Sequence, residues 1–263
     1  AKDLGFSAIS PNSIDATGDR DFLSEVLTII GGYFTTLSRV ATELQLWNTA
    51  QFGFIEFSEG FATGSSMMPQ KKNPDAMELI RGKAATAIAA ANHVMILQKG
   101  LQLTYNRDLQ EDKQTTFQQL DEAVISTQIM REAVGSAEFR TQNMANAIDE
   151  LTLATDLADY LVDRGKPFRQ AHEVAAKIVR LSISSERKLS ELPLAELQRF
   201  SDLFQQDVYS ALTPASSINR KIINGGTAAS AVQDQIELAN QTLDAYQQHP
   251  LLVKPAETSA KQS

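Results

Sequence analysis

The sequence predicts an all-α protein, an elongated bundle of long helices followed by a smaller α-helical domain. Three stretches repeat apolar residues every three or four positions over about 25 residues, a pattern typical of long amphipathic helices. The second of them, from about 74 to 98, is alanine-rich and apolar around most of its circumference. A helix of that kind is normally buried on several sides, so we expect other subunits to cover it.

The first and third long helices have predicted core faces. The first begins near Asp19 or Asp21, and its Gly31-Gly32 pair marks a place where another helix approaches closely. The third runs from about 108 to 134. The apolar stripe of the first helix is Phe22, Val26, Ile29, Ile30, Phe34, Leu37, Val40, Leu44 and Trp47, and that of the third is Phe117, Leu120, Val124 and Met130.

A change of character after Gly135 divides the chain. Residues 1–146 form the predicted bundle domain, residues 147–248 a small domain of short helices separated by glycine and proline, and residues 249–263 a disordered tail. Within the second domain we expect helices over 153–164, 168–182, 194–200 and 228–247.

Composition excludes several classes of protein. The 263 residues include no cysteine, so disulfides and thiolate metal sites are absent, which fits a reducing compartment such as the cytoplasm. The net charge of −8 disfavours a nucleic-acid partner. The apolar stretch 84–97 is interrupted by Asn92 and His93 and is shorter than the roughly 20 residues that span a bilayer. The chain opens without methionine or a signal peptide and reads as the middle of something longer.

The most informative stretch is the signature loop, residues 63–74, which contains Gly-Ser-Ser-Met-Met-Pro-Gln-Lys-Lys-Asn-Pro. Asn73 is a good N-cap and Pro74 suits the first position of the helix that follows. Lys71, Asn73 and the free N–H groups of that helix can hold a carboxylate. Ser65 can supply an oxygen base. Removal of a proton next to a carboxylate needs such a base, together with donors for the dianion that forms.

This loop resembles the signature of the fumarase/aspartase superfamily, whose members release fumarate by β-elimination. Its Gln70-Lys71-Lys72 version resembles the argininosuccinate lyase branch, which includes the δ-crystallins. The resemblance extends to about residue 248 and matches the last part of a full-length lyase. It implies that Ser65, rather than Ser66, is the catalytic base.

Further site residues are implied only by the resemblance. In the loop and the helix after it, Lys71 and Asn73 contact substrate, and Glu78 pairs with the catalytic-acid histidine. In two other segments that resemble family segments, 12–22 and 105–113, the implied substrate-binding residues are Arg20, Tyr105, Gln110 and Lys113. The family more often has serine at the position of Gly18. Read without the resemblance, the 12–22 segment is a turn followed by a charged helix start, and the 105–113 segment is a capped helix with exposed salt bridges.

The activity that the resemblance implies is reversible cleavage of argininosuccinate to arginine and fumarate, a step of arginine biosynthesis, without a cofactor. Each site of the family's homotetramer is built from segments of three subunits. The amino-terminal region, with its acid histidine, has no counterpart here, so we expect the isolated chain to be inactive. The three histidines have no metal-ligand partners at suitable spacing, and we expect no metal, no nucleic acid and no membrane.

Two alternatives stay open. One is a different fumarate-releasing lyase of the superfamily, such as adenylosuccinate lyase, although Gln70-Lys71-Lys72 and the 105–113 segment disfavour it. The other is a non-catalytic role, as a structural bundle like the δ-crystallins or as an inert fragment, since those crystallins can keep the signature.

Overall fold

The computed structural model of the chain describes residues 2–64 and 72–248, without the side chains of Lys2 and Lys72. Within those ranges the protein has eleven α-helices and four strands of two residues each, which confirms the all-α prediction. None of the described helices is both long enough and apolar enough to cross a membrane. The predicted tail, 249–263, lies outside the described residues.

The chain divides into two compact units between Ala147 and Ile148. The first contains the three long helices, and short 3-10 turns lie at Lys2–Leu4 and Arg107–Glu111. Its elements are α1 (Ser13–Gly18), α2 (Asp21–Trp47), β1 (Ile55–Glu56), β2 (Thr63–Gly64), β3 (Lys72–Asn73), α3 (Asp75–Gln98), α4 (Asp112–Ser136), β4 (Glu138–Phe139) and α5 (Thr141–Asn146). β1 pairs antiparallel with β4, and β2 pairs antiparallel with β3. All three long helices are therefore present, and α4 begins four residues later than predicted because the turn before it is 3-10.

Helices α2 and α3 run antiparallel along their whole length. The Gln98 Nε2 atom donates to Ser24 Oγ (2.8 Å) at one end, and Gln45 Nε2 donates to Glu78 Oε1 (2.9 Å) at the other. Between them α3 approaches α2 closely at Gly31, as predicted, where an added Cβ would lie 3.6 Å from the Ala87 carbonyl oxygen. The alanines of α3 permit this approach and place the core between the two helices.

The predicted core face of α4 is wrong. Phe117 (62% exposed), Leu120 and Val124 are exposed, and of the four predicted positions only Met130 is buried. The face that packs on the bundle repeats every three or four residues and is mostly small or polar: Asp112, Thr116, Gln119, Ala123, Ser126, Met130 and Ala133. Small side chains allow α4 to lie close to the other two helices, which leaves its large apolar residues pointing outward.

The predicted stripe of α2 is correct only in part. Ile30, Phe34, Leu37 and Leu44 are buried and Trp47 packs against the core, whereas Phe22, Val26, Ile29 and Val40 are exposed. On α3, Ile88 and Ile96 are also exposed. The bundle therefore presents apolar side chains on outer faces of all three helices.

The second unit has shorter helices around its own core. They are α6 (Ala154–Asp163), α7 (Phe168–Ser184), α8 (Leu194–Gln198), α9 (Val208–Ala211), α10 (Pro214–Asn219) and α11 (Ala229–Gln247), with 3-10 turns at Glu150–Leu153 and Leu189–Glu191. The four helices predicted here are α6, α7, α8 and α11, with boundaries displaced by no more than two residues. Leu157, Leu161, Ile178 and Phe204 are fully buried.

Candidate functional site

A polar cleft of about 700 Å³ lies where the signature loop meets α3. The carboxyl end of α2, the β1–β4 ribbon, β3 and the amino ends of α3 and α5 form its walls. Its polar lining residues are Gln45, Asn48, Thr49, Gln51, Glu56, Asn73, Glu78, Arg140 and Asn143. Two of the predicted site residues, Asn73 and Glu78, are therefore in one cleft.

Asn73 does not cap α3, contrary to the prediction. It lies in β3, opposite Thr63 of β2, and the N-cap position belongs to Pro74. The strand pairing moves the helix start by one residue, to Asp75, and no side chain of the described residues caps α3. The Asn73 side chain therefore does not cap α3. It lines the cleft beside the amino terminus of α3, where backbone N–H groups favour an anion.

Glu78 lies in the first turns of α3, and its carboxylate is exposed to the cleft. Gln45 of α2 donates a hydrogen bond from Nε2 to Glu78 Oε1 (2.9 Å). The same glutamine accepts a hydrogen bond from Arg81 Nη1 at its Oε1 atom. One oxygen of Glu78 is therefore held by α2, and the Glu78 side chain lines the cleft.

Another part of the cleft lining is an arginine paired with a carboxylate. Arg140, which follows β4, forms an ion pair with Glu56 of β1. Asn143 donates from Nδ2 to the Gly53 carbonyl oxygen (2.8 Å). These contacts hold α5 and the residue before it against the segment around β1.

Arg20 lies at the other end of the bundle, just before α2. Its Nε atom is 2.5 Å from Asp112 Oδ2, and the two side chains are 17% and 5% exposed. Its Nη1 atom donates to the Asp19 carbonyl oxygen (2.6 Å). Because Asp112 begins α4, the ion pair joins the predicted 12–22 segment to the predicted 105–113 segment.

Three more of the predicted substrate-binding residues, Tyr105, Gln110 and Lys113, lie at this same end. Gln110 donates from Nε2 to Tyr105 Oη (3.2 Å), and Lys113 is exposed on the first turn of α4. The backbone at Gly18 also lies close to the segment before α4, since a Cβ at Gly18 would lie 3.0 Å from the Thr104 carbonyl oxygen. That approach is a physical reason for glycine where the family more often has serine. We call Arg20, Tyr105, Gln110, Asp112 and Lys113 the arginine end.

The structure separates the predicted site residues into two groups. The cleft lies beside Gln45 and the arginine end lies beside Ser24, which are roughly 30 Å apart at the rise of about 1.5 Å per residue of an α-helix. A substrate the size of an amino-acid derivative cannot contact both groups within one chain. The two remaining predicted residues, Ser65 and Lys71, lie outside the described residues.

Sequence reasoning missed four residues that shape these sites. Gln45 and Arg81 hold Glu78, Arg140 lines the cleft, and Asp112 holds Arg20. The three-residue spacing of Glu78 and Arg81 was a usable signal, because such residues share a helix face. The contacts of Gln45 and Asp112 join segments distant in sequence and gave no local signal. Among the described residues no group of three or more histidine or carboxylate side chains could hold a metal ion.

Comparison with known families matches two parts of the chain. Residues 1–89 match a family described as Lyase, and residues 151–219 match the family described as Argininosuccinate lyase C-terminal. An argininosuccinate lyase of Dehalococcoides mccartyi is 41% identical over 244 residues, and one of Desulforudis audaxviator is 43% identical over 245. These alignments include 92% and 93% of this chain and 53% of each relative. The chain spans about half the length of the curated relatives it matches.

Solved structures give the same result for the fold. An EDDS lyase in complex with formate superposes with a TM-score of 0.79 at 27% identity, over 92% of this chain and 50% of that one. A class II fumarase of Schistosoma mansoni superposes with a TM-score of 0.63 at 17% identity, over 78% of this chain and 40% of the fumarase, a likeness of fold alone. With the signature loop and the long-helix bundle, the chain resembles argininosuccinate lyases at more than 40% identity, and it corresponds to about half the length of each relative.

Proposed function

We propose that the complete protein, of which this chain is a portion, cleaves argininosuccinate reversibly to arginine and fumarate. The observation that carries the proposal is the cleft at the signature loop, lined by Asn73 and Glu78, in a chain 41–43% identical to argininosuccinate lyases over nine-tenths of its length. A solved EDDS lyase variant, 26% identical to this chain, holds bound fumarate, which supports the same product here.

The proposed chemistry starts with the Ser65 oxygen, which takes the proton from the carbon next to the substrate carboxylate. The electron pair left behind spreads onto that carboxylate, and Lys71, Asn73 and the amino end of α3 stabilise the dianion. The C–N bond then breaks, the pair forms the double bond of fumarate, and the departing nitrogen takes a proton. A histidine oriented by Glu78, supplied by a part of the protein beyond this chain, gives that proton. No cofactor takes part.

The arginine end serves a different active site from the cleft of its own chain. Arg20, Tyr105, Gln110 and Lys113 place the substrate in a site completed by other copies, within a homotetramer. Two observations support this arrangement: the roughly 30 Å between the two groups, by the helix rise, and the exposed apolar side chains on α2, α3 and α4. A second copy would cover those side chains. The absence of cysteine favours a reducing compartment, and we place the enzyme in the cytoplasm.

The test is the exchange Ser65→Ala in the full-length protein, with Ser66→Ala as the matched control. Fumarate release from argininosuccinate is followed by absorbance. We expect Ser65→Ala to lower kcat by about 10²–10⁴-fold, the range for loss of a general base, with an unchanged circular dichroism spectrum. Ser66→Ala should keep most of the activity. An active Ser65→Ala enzyme contradicts the assignment of the base.

The same assay distinguishes the alternatives. Fumarate release from adenylosuccinate, and not from argininosuccinate, would identify another lyase of the superfamily. A folded, full-length protein that releases fumarate from neither substrate would indicate a structural role like that of the δ-crystallins.

A further inference from the structure

The Gln45 side chain lies between two charged side chains, Arg81 and Glu78, and makes a hydrogen bond to each. Its side chain is half-buried on the last turns of α2, beside the first turns of α3. Oε1 of Gln45 accepts from Arg81 Nη1, and Nε2 of Gln45 donates to Glu78 Oε1 at 2.9 Å. A guanidinium can only donate and a carboxylate can only accept, so the amide fits between them in one orientation.

Without this amide, Arg81 and Glu78 would be expected to contact each other. They are three residues apart on α3, the spacing at which oppositely charged side chains on a helix meet. In the described part of the chain they form no ion pair with each other, and Gln45 contacts both. Glu78 and Gln45 line the cleft, whereas Arg81 does not.

The consequence concerns the direction of the Glu78 carboxylate. A direct, bidentate pair with Arg81 would occupy both carboxylate oxygens and turn them along α3. The amide of Gln45 uses one oxygen only and carries no net charge. The carboxylate therefore keeps its charge and one oxygen for a partner inside the cleft.

We infer that Gln45 is a positioning residue of the active site, which keeps Arg81 from capturing Glu78 and thereby holds the Glu78 carboxylate toward the catalytic-acid histidine. The inference rests on the proposed function, because it takes from there the role of Glu78. It adds a residue of α2 to the machinery, whereas the signature loop and α3 supply the others on this side of the site.

The test uses two variants of the full-length enzyme. Gln45→Met keeps the length of the side chain and removes both hydrogen bonds. Gln45→Glu keeps the shape and the acceptor for Arg81 but places a second acceptor against Glu78. We expect both to lower kcat by about 10–100-fold, the scale of a displacement of about 1 Å in a catalytic group. KM for argininosuccinate should stay within about twofold, since Glu78 orients the acid and does not bind substrate. Gln170→Met, on the exposed surface of α7, is the matched control and should behave as wild type.

A second exchange separates positioning from packing. In the double variant Gln45→Met/Arg81→Met, no cation remains to capture Glu78, so kcat should recover part of what Gln45→Met lost. A purely structural role for Gln45 would make the double variant worse than the single one. Unchanged kcat in both single variants, or a loss that follows a lower melting temperature or a smaller oligomer, would overturn the inference.

A crystal structure of the full-length wild type completes the test if the variants do not fold. It should show Gln45 between Arg81 and Glu78, and a direct ion pair of Arg81 with Glu78 would overturn the inference. This outcome is independent of the reaction. A wild-type protein inactive on argininosuccinate contradicts the proposed function, whereas an active wild type with fully active Gln45 variants contradicts only the positioning role.

Discussion

The three-helix bundle and the core of the second unit bury their apolar side chains in different ways. In the second unit, Leu161, Ile178 and Phe204 are fully covered within the unit. In the bundle, α4 turns Thr116 and Gln119 inward while large apolar side chains remain on outer surfaces. Helices α6 to α9 of the second unit surround a closed core, whereas the bundle, like α11 of the second unit, leaves large apolar side chains uncovered within the chain.

Polar side chains of the second unit contact one another, whereas many polar side chains of the bundle line open cavities. In the second unit, Tyr160 donates to Asp207 Oδ1 (2.5 Å), and the Arg164 guanidinium carbon lies 3.5 Å above the centre of the Tyr160 ring. Burial raises the pKa of Tyr160, and the hydrogen bond from Tyr160 lowers the pKa of Asp207. All of these contacts join residues within the second unit. In the bundle the polar groups at both ends line open cavities, where a ligand or another chain can meet them.

Removal of a large ring should destabilise the self-contained core most. Phe204 is fully buried and stacks on Tyr160 with ring centres 5.7 Å apart, so Phe204→Ala should lower the free energy of unfolding by about 3–5 kcal/mol. Phe168→Ala, at an exposed position of α7, is the matched control and should cost less than about 1 kcal/mol. Urea unfolding followed by circular dichroism measures both. Equal losses in the two variants would show that the second unit is not packed as described.

A charge on the outer face of the bundle should act on assembly rather than on the fold. Val124 is 58% exposed within one chain, yet the proposed tetramer covers such side chains, so Val124→Asp should place an unpaired charge in an interface. We expect the full-length protein to dissociate, with subunit association at least about tenfold weaker, the effect of about 1.4 kcal/mol. Size-exclusion chromatography with light scattering measures the mass, and Gln170→Asp, on the exposed surface of α7, is the control. A Val124→Asp variant that remains tetrameric would place the interface elsewhere.

A side chain at Gly18 should disturb the arginine end. In Gly18→Ser the new Cβ would lie 3.0 Å from the Thr104 carbonyl oxygen, so one segment must move, at a cost of about 1–3 kcal/mol. Gly32→Ser introduces the same side chain where nothing lies within 4 Å. Thermal unfolding compares the two, and KM for argininosuccinate should rise in Gly18→Ser because Arg20 is displaced with the segment. Equal melting temperatures in the two variants would contradict the close approach at Gly18.

The smallest expected effect is a pH dependence of the second unit. Arg187 donates to both carboxylate oxygens of Glu196 (3.1 and 2.8 Å), and these hydrogen bonds lower the pKa of Glu196 below its ordinary value of 4.5. A carboxyl group with a lowered pKa in the folded state stabilises the fold above its unfolded pKa. That stabilisation is lost as pH falls below 4.5 through the folded pKa. The melting temperature should therefore fall less steeply with acid in Glu196→Gln than in wild type, and parallel curves would exclude this contribution.

Helix positions followed from the sequence because their signals are local. The spacing of apolar residues located α2, α3 and α4, and the breaks at Gly165 and Pro193 separated the helices of the second unit. The order of residues in the signature loop carried the resemblance to argininosuccinate lyases without any tertiary information. The locations of Asn73 and Glu78 in one cleft agree with the loop's predicted use, although the roles of these residues remain predictions.

Local signals failed where a second element decided the outcome. Pairing of β3 with β2 moved the start of α3 past Asn73, and no capping pattern contains that information. The amphipathic pattern of α4 showed which of its residues are apolar. It did not show that the opposite, small and polar face packs on the bundle. Phe117 and Val124 are exposed because α4 packs on the bundle through its small and polar face instead.

The sequence by itself determined where the long helices lie and which family the chain resembles, because helix periodicity and the order of residues in a loop are properties of neighbouring residues. Only the tertiary structure decided that the predicted site residues divide between two ends of the bundle, and that Gln45 stands between Arg81 and Glu78. The physical reason is that α2 and α3 run antiparallel for their full length, which brings residues 33 positions apart into hydrogen-bond contact at one end and leaves the arginine end at the other.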